Sequence, residues 1–153
     1  MGWTLDWRKI KEYFQEKYEV IGFNYYQGIK DGDDKIKNYL KYLDQLHVNV
    51  ITKPLKEIRI GSEHPLNLLH HYKKIYKCNF DVEITADMIF DRGNLDEYIL
   101  FSGDSDFDYA VKRLRSVGRT VTVYSSKKVL SWELKLAANQ FRYLEKHKEI
   151  FCK

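Results

Sequence analysis

Tyr98-Ile99-Leu100-Phe101-Ser102-Gly103-Asp104-Ser105-Asp106-Phe107-Asp108 is the stretch on which the reading of this chain turns. An apolar run of strand length stops at Ser102-Gly103, and carboxylates follow at once. Phe107, Ala110, Val111 and Leu114 then recur at helical spacing, Gly118 ends that helix, and Thr120 to Tyr124 reads as the next strand. A strand, a helix and a second strand in this order predict a parallel pair, and ligands of open α/β sheets bind beyond the carboxyl ends of such strands. Carboxylates held close together repel unless a cation lies between them. Hard oxygen donors without nearby Cys or paired His suit Mg2+ or Mn2+. The alternative for Asp104 and Asp106 is helix capping, because acids near a helix N-terminus satisfy free amides and complement the dipole. Ser105 and Asp108 have capping-box-like spacing, so Asp108 reads as a cap. Gly103 favours the ligand reading, since it lets a substrate backbone approach.

Outward from this stretch the chain alternates helix and strand. Leu5 to about Gln15 reads as a helix and Glu19 to Gln27 as a strand. Asp31-Gly32-Asp33-Asp34 starts a helix carrying Ile36, Tyr39, Leu40 and Leu43, and Val48 to Thr52 is a strand ending at Lys53-Pro54. The segment from Leu55 to Asn79 reads as irregular, with one helix around Leu66 to Ile75. Phe80 to Phe90 is a helix with Val82, Ala86, Ile89 and Phe90 inward. Val129 to Ala138 is the last main helix, and Phe141 to Leu144 a short strand. The expected class is α/β, a mostly parallel sheet covered by helices on both faces.

The 153 residues suffice for one domain with a real core, and the composition is 44% hydrophobic and 31% charged. No apolar run has membrane-spanning length and no signal-peptide pattern is present. Cys78 and Cys152 have no metal-binding spacing and read as reduced thiols of a cytoplasmic protein. Between Lys53 and Lys77, the cations Lys53, Lys56, Arg59, Lys73, Lys74 and Lys77 face only Glu57 and Glu63, a local excess as large as the chain's net charge of +4. Tyr72 and Tyr76 interleave with them. Cations with flat rings suit a nucleic acid, whose phosphates meet the charges and whose bases stack; a solvated loop and helix face is the alternative.

A second acidic group, Asp81, Glu83 and Asp87, sits on the helix before the decisive strand. The N-terminal end of that helix can lie over the same sheet edge, which makes Asp81 the better-placed ligand. Asp87 lies about 120° away around an ideal helix and reads as a surface or supporting acid. Glu83 reads as solvated.

Lys53-Pro54-Leu55, Lys77-Cys78-Asn79-Phe80-Asp81-Val82 with Asp87, Phe101-Ser102-Gly103-Asp104-Ser105-Asp106-Phe107, Gly118-Arg119-Thr120-Val121, Ser125-Ser126, Ser131-x-x-Leu134 and Phe141 together resemble the NYN domain family of PIN-like nucleases, in its LabA-like branch. The likeness runs from about Leu5 to Leu144, and the whole chain, 1–153, is expected to be a single such domain. It implies a Rossmann-like PIN fold, a divalent metal held by carboxylates and hydrolysis of RNA phosphodiesters. By motif, Asp81, Asp104 and Asp106 form the acidic site, and Asp87 matches a recurrent family acid. Ser102, Ser125 and Ser126 stand near strand ends, as phosphate donors or as ordinary turn residues. Lys53, Lys73, Lys74 and Lys77 would guide a single-stranded RNA, with Tyr72 or Tyr76 as stacking platforms.

Two departures from the family pattern stand out. The family's first strand, which ends in a metal-binding Asp, has no counterpart before the helix near Leu5. That predicts a weaker metal site and unpaired strand edges, to be filled by a second copy of the chain as a homodimer, closed by a rearranged sheet, or explained by a sequence truncated from a longer protein. Asn139 replaces an Asp common in relatives. The expected function is therefore a Mg2+- or Mn2+-dependent ribonuclease. The alternatives are an RNA-binding module without turnover and, less well matched, a phospho-aspartate receiver.

Overall fold

The computed structural model describes residues 2–90 and 95–153; Met1, where the sequence reading begins, lies outside them. The chain divides into two compact units, one comprising the residues through Ile21 together with Asp81–Lys153, the other Gly22–Phe80.

The first unit holds a parallel three-stranded sheet in the order β5 (Glu97–Phe101), β6 (Thr120–Ser125), β7 (Gln140–Tyr143). Among the described residues β5 pairs with β6 alone, so it is an edge strand. Alternation along each strand sends side chains to opposite faces. Leu100, Val121 and Val123 go to one face, where they pack with Met88 of α4 (Asp81–Ile89), Phe107, Val111 and Leu114 from the 3-10 turn Ser105–Phe107 and α5 (Asp108–Ser116), and Leu134 and Ala137 of α6 (Trp132–Ala137). Phe101 and its register partner Tyr124 go to the other, stacked 5.1 Å apart. There they meet Trp7 and Phe14 of α1 (Trp7–Gln15) and Phe151 of α7 (Lys148–Phe151). Both faces are thus covered, as parallel strands require. The N-terminal segment is pinned to the C-terminus: Asp6 N donates to Phe151 O at 2.8 Å and Lys153 N to Thr4 O at 3.1 Å, around a single bridge between Leu5 and Cys152.

The second unit contains β1 (Asn24–Ile29) parallel to β2 (Asn49–Pro54), joined through α2 (Asp34–Gln45), and an antiparallel hairpin of β3 (Lys56–Arg59) and β4 (Lys74–Lys77) flanking α3 (Pro65–His70). Gly28 of β1 has no room for a side chain, because a Cβ there would stand 2.6 Å from Leu55 Cδ2 and 2.8 Å from Cys78 Cβ. Cys78 is a packing thiol at that contact, and both cysteines are free.

Several elements differ from the sequence reading. The helix expected over Leu66 to Ile75 stops at His70, where His71 takes a left-handed conformation (φ 55°), and the residues beyond it form β4. The first strand starts at Asn24 rather than Glu19, and α6 starts at Trp132 because Ser131 Oγ caps it by accepting from Leu134 N. In α4 the inward face is Ile84 and Met88, one helical turn apart, while Val82, Ile89 and Phe90 are exposed.

Candidate functional site

β5 ends at Phe101, and the chain turns at once through Ser102 and Gly103. Gly103 is required there: a Cβ would lie 2.4 Å from the carbonyl oxygen of Val129, a backbone atom that cannot swing aside. Ser131 N donates to Gly103 O at 2.9 Å, so the loop after β6 is clamped against the loop after β5. Ser102 Oγ accepts from Asp104 N at 3.1 Å, and Asp104 Oδ1 accepts from Asp106 N at 3.1 Å. Asp104 is therefore the cap of the 3-10 turn, in place of the Ser105 cap expected from spacing. Asp108 instead pairs with Lys112 Nζ at 2.6 Å, one turn along α5.

Capping uses one oxygen of Asp104 and leaves the carboxylate facing outward beside that of Asp106; both side chains are exposed. α4 packs on the 3-10 turn and on α5, and Asp81 stands in its first turn. One carboxylate oxygen from each of Asp81, Asp104 and Asp106 lies within 4.8 Å of the other two. Octahedral Mg2+, with oxygens at about 2.1 Å, needs ligand oxygens roughly 3–4 Å apart. A small inward closure of three hard oxygen donors meets that requirement, so the donor set fits such an ion. Asp87 is exposed and is not one of this group of three. Glu83 is half-buried, with Oε2 fully buried, rather than on a solvated face.

Beside the carboxylates lies an open depression of about 430 Å3 lined by Ser102, Gly103, Asp104, Ser105, Val129 and Ser131. Ser125 and Ser126 are 3% and 7% exposed. Ser125 Oγ would sit 2.7 Å from a Cβ on Gly103, and Ser126 O accepts from Val129 N and Leu130 N, so these two serines shape the loop. Ser105 and Ser131 entered the sequence reading only through a capping-box-like spacing and a family motif, and the exposed residues Lys127, Lys128 and Trp132 were not singled out from the sequence. The one available signal was Lys-Lys-x-x-x-Trp following the Ser125-Ser126 pair. Asn139 is structural: its Oδ1 accepts from Val121 N at 2.9 Å, an edge contact to β6.

The basic residues lie in the 22–80 unit. On the hairpin, Lys74 Nζ and the Tyr76 hydroxyl both donate to Glu57 Oε2, at 2.9 and 3.0 Å. Those two hydrogen bonds hold the Glu57 carboxyl below its ordinary value, and the Lys74 ammonium is raised by its own contacts with Glu57 and then Tyr76. The Tyr76 ring carries Lys30 Nζ at 4.6 Å and Lys74 Nζ at 5.8 Å, and Lys53 Nζ stands 4.7 Å from the Phe80 ring. Tyr72 is 54% exposed beside His70, and Lys73 and Lys77 face solvent.

A family model of the NYN domain matches residues 1–145. The chain belongs to the NYN domain family. This domain is associated with nucleases. The chain is 32% identical over 142 residues to the low amplitude and bright protein LabA of Synechococcus elongatus, covering 92% of this chain and 72% of that one. It is also similar to the crystal structure of a Vibrio parahaemolyticus protein of unknown function, with a TM-score of 0.72 and 25% identity over 93% of this chain and 80% of that one. The NYN assignment and the mixed α/β architecture, parallel strands covered by helices, agree with each other and with a PIN-like fold. No helix among the described residues is long and apolar enough to cross a membrane.

Proposed function

We propose that this NYN domain is a metal-dependent ribonuclease of the cytoplasm, hydrolysing phosphodiesters of single-stranded RNA. The observation that carries the reading is the convergence of Asp81 with Asp104 and Asp106, from two separate stretches of chain, to within 4.8 Å. Asp81, Asp104 and Asp106 would hold Mg2+ or Mn2+, which supplies charge neutralisation at the phosphate and lowers the pKa of water. The remaining work falls to the chain. The hydrogen bond that Asp106 N donates to Asp104 Oδ1, with the Asp104 N bond to Ser102 Oγ, fixes the Asp104 carboxylate and the backbone that carries Asp106, so little reorganisation would accompany binding. The exposed carboxylates leave space on one side for a water that would add to phosphorus in line with the sugar oxygen leaving opposite it, and the open serine-lined depression has room for the phosphate between them. Lys73, Lys77 and Tyr72 provide charge and a flat ring for the strand.

Labelled single-stranded RNA incubated with Mg2+ or Mn2+, then with EDTA, tests this. Cleavage that stops with EDTA and with Asp104→Asn is expected. Cleavage that survives either one rejects the mechanism. A second reading, RNA binding without turnover, is favoured by the exposure of Asp104 and Asp106, which lowers the electrostatic gain of holding an ion. It predicts salt-sensitive binding with no metal-dependent products.

A further inference from the structure

The loop from Ser125 to α6 carries a second set of groups beside the carboxylates, all in the same compact unit. Val129 and Ser131 line the depression, and Gly103 fixes this loop through the Val129 carbonyl and the Ser131 amide. Lys127 and Lys128 precede Val129, are exposed and form no ion pair among the described residues. Trp132 follows Ser131 and is 64% exposed, with Val129 and Leu136 each 63% exposed. Trp3 and Trp7 are both half-buried, so Trp132 is the tryptophan presented to solvent. Lys135 Nζ stands 5.2 Å from its ring centroid and also lies 4.6 Å and 5.8 Å from the Phe141 and Tyr143 rings, a cation packed against the indole. An indole is normally among the most valuable side chains to bury. Here it is exposed directly after Ser131, which lines the hydroxyl-rich depression, with the exposed Lys127 and Lys128 at the other end of the same loop.

We propose that Trp132 is a stacking platform for an unpaired base of the nucleic-acid strand, with Lys127 and Lys128 meeting the phosphates on the way to the carboxylates. The inference rests on the reading of single-stranded RNA as the ligand. Stacking is open to any base because every base has a π-face, and it needs an unpaired one. The flanking charge favours a polyanion over a protein: a contact between proteins depletes Lys at its centre, whereas this loop carries two exposed lysines, without ion pairs among the described residues, four and five residues before the ring.

The test uses the full chain and a fluorescein-labelled oligouridylate of about ten nucleotides at low salt. Anisotropy is read once with EDTA and once with Ca2+. Trp132→Ala is expected to weaken binding roughly five- to a hundred-fold, the span of one base–aromatic stack, with the salt slope unchanged. Trp132→Phe keeps a ring and retains most of the affinity, and it loses the tryptophan quenching that the oligonucleotide causes in the wild type. Lys127→Ala/Lys128→Ala lowers the slope of log K against log salt by about 1.4, two phosphates' worth for a single strand. An abasic backbone of the same length binds wild type and Trp132→Ala alike. Equal binding of oligouridylate by wild type and Trp132→Ala overturns the proposal and leaves the RNA reading standing. A Trp132→Ala protein that binds normally but sediments as a smaller species makes the stripe a contact between copies, which also overturns it. Failure of the wild type to bind in both conditions overturns the proposal together with the RNA reading.

Discussion

Residues Gly22–Phe80 and the unit that carries the carboxylates handle charge in opposite ways. In the carboxylate unit the acids project from a dense interior: Leu100, Phe107, Val111, Leu114, Val121, Val123 and Leu134 are all buried directly behind the loop that presents Asp104 and Asp106. In the 22–80 unit, the buried apolar side chains among the described residues are Leu43 and Val48, and the cations Lys56, Arg59, Lys74 and Lys77 ride on a hairpin of two four-residue strands with no buried residue. Divalent metal coordination tolerates errors of a few tenths of an ångström, and a close-packed support holds side chains to that tolerance. Attraction of a polyanion falls off over roughly 10 Å at moderate salt, so cations on a lightly packed hairpin still act. The contrast teaches that the density of the core behind a charged group indicates whether position or only sign matters there.

The largest expected effect breaks the contrast at its sharpest point. Asp104→Asn keeps the capping oxygen, so melting temperature should hold while metal-dependent cleavage falls at least about a hundred-fold, since even outer partners of metal ligands cost ten- to a hundred-fold. Removing a cation from the hairpin or the residue leading into it, as in Lys73→Ala, should shift only the salt dependence of RNA binding. Cleavage assays and salt titrations on both variants check the pair. If Lys73→Ala abolished cleavage at saturating RNA, position would matter on the hairpin as well.

Next in size is the support itself. Leu134, fully buried behind the site, should lose about 2–5 kcal/mol on truncation to Ala in denaturant unfolding. The exposed Leu68, at 66%, should lose less than about 0.5 kcal/mol. A matched glycine pair sharpens the difference. Gly103→Ala meets backbone at 2.4 Å and should cost about 1–3 kcal/mol or more and misplace Asp104. Gly28→Ala meets Leu55 Cδ2, which can swing aside, and Cys78 Cβ at 2.8 Å, which is fixed to its backbone, so it should also cost about 1–3 kcal/mol but leave Asp104 in place.

The smallest effect concerns alkaline pH. Burial, with Tyr13 and Tyr18 nearby, pushes the Tyr124 hydroxyl up from 10 to about 12. The unfolded chain then releases this proton before the folded chain does. The associated stability is fully present below pH 10 and is lost as pH rises toward 12. Tyr124→Phe should flatten that decline in thermal melts between these limits. Burial also raises Tyr25, in the other unit, so Tyr25→Phe should flatten it in the same direction.

Legibility in the sequence followed pattern length. The 98–124 stretch was readable because an apolar run, a four-residue helical stripe and a second strand all agree, and the stripe is buried as expected. The hairpin was missed because β3 and β4 each carry one apolar residue, Ile58 and Ile75, among charges; four residues give too short an alternation to recognise. Leu66 to Ile75 has helical spacing, yet the backbone leaves the helix at His71, a residue with no compositional warning. The inward side of α4 was misassigned because apolar residues occur all round that helix, and only its packing on α5 selects Ile84 and Met88.

By itself the sequence determined the family, the alternation of strands and helices, and which residue types carry negative and positive charge, because these follow from local spacing and side-chain chemistry. Only the tertiary structure decided that Asp81 meets Asp104 and Asp106, that Ser125 and Ser126 are buried, and that Trp132 is exposed next to Ser131, which lines the depression. Those facts depend on how α4 and the loop before α6 pack against the end of β5, and packing between distant segments is set by the shape of a shared core that no local window contains.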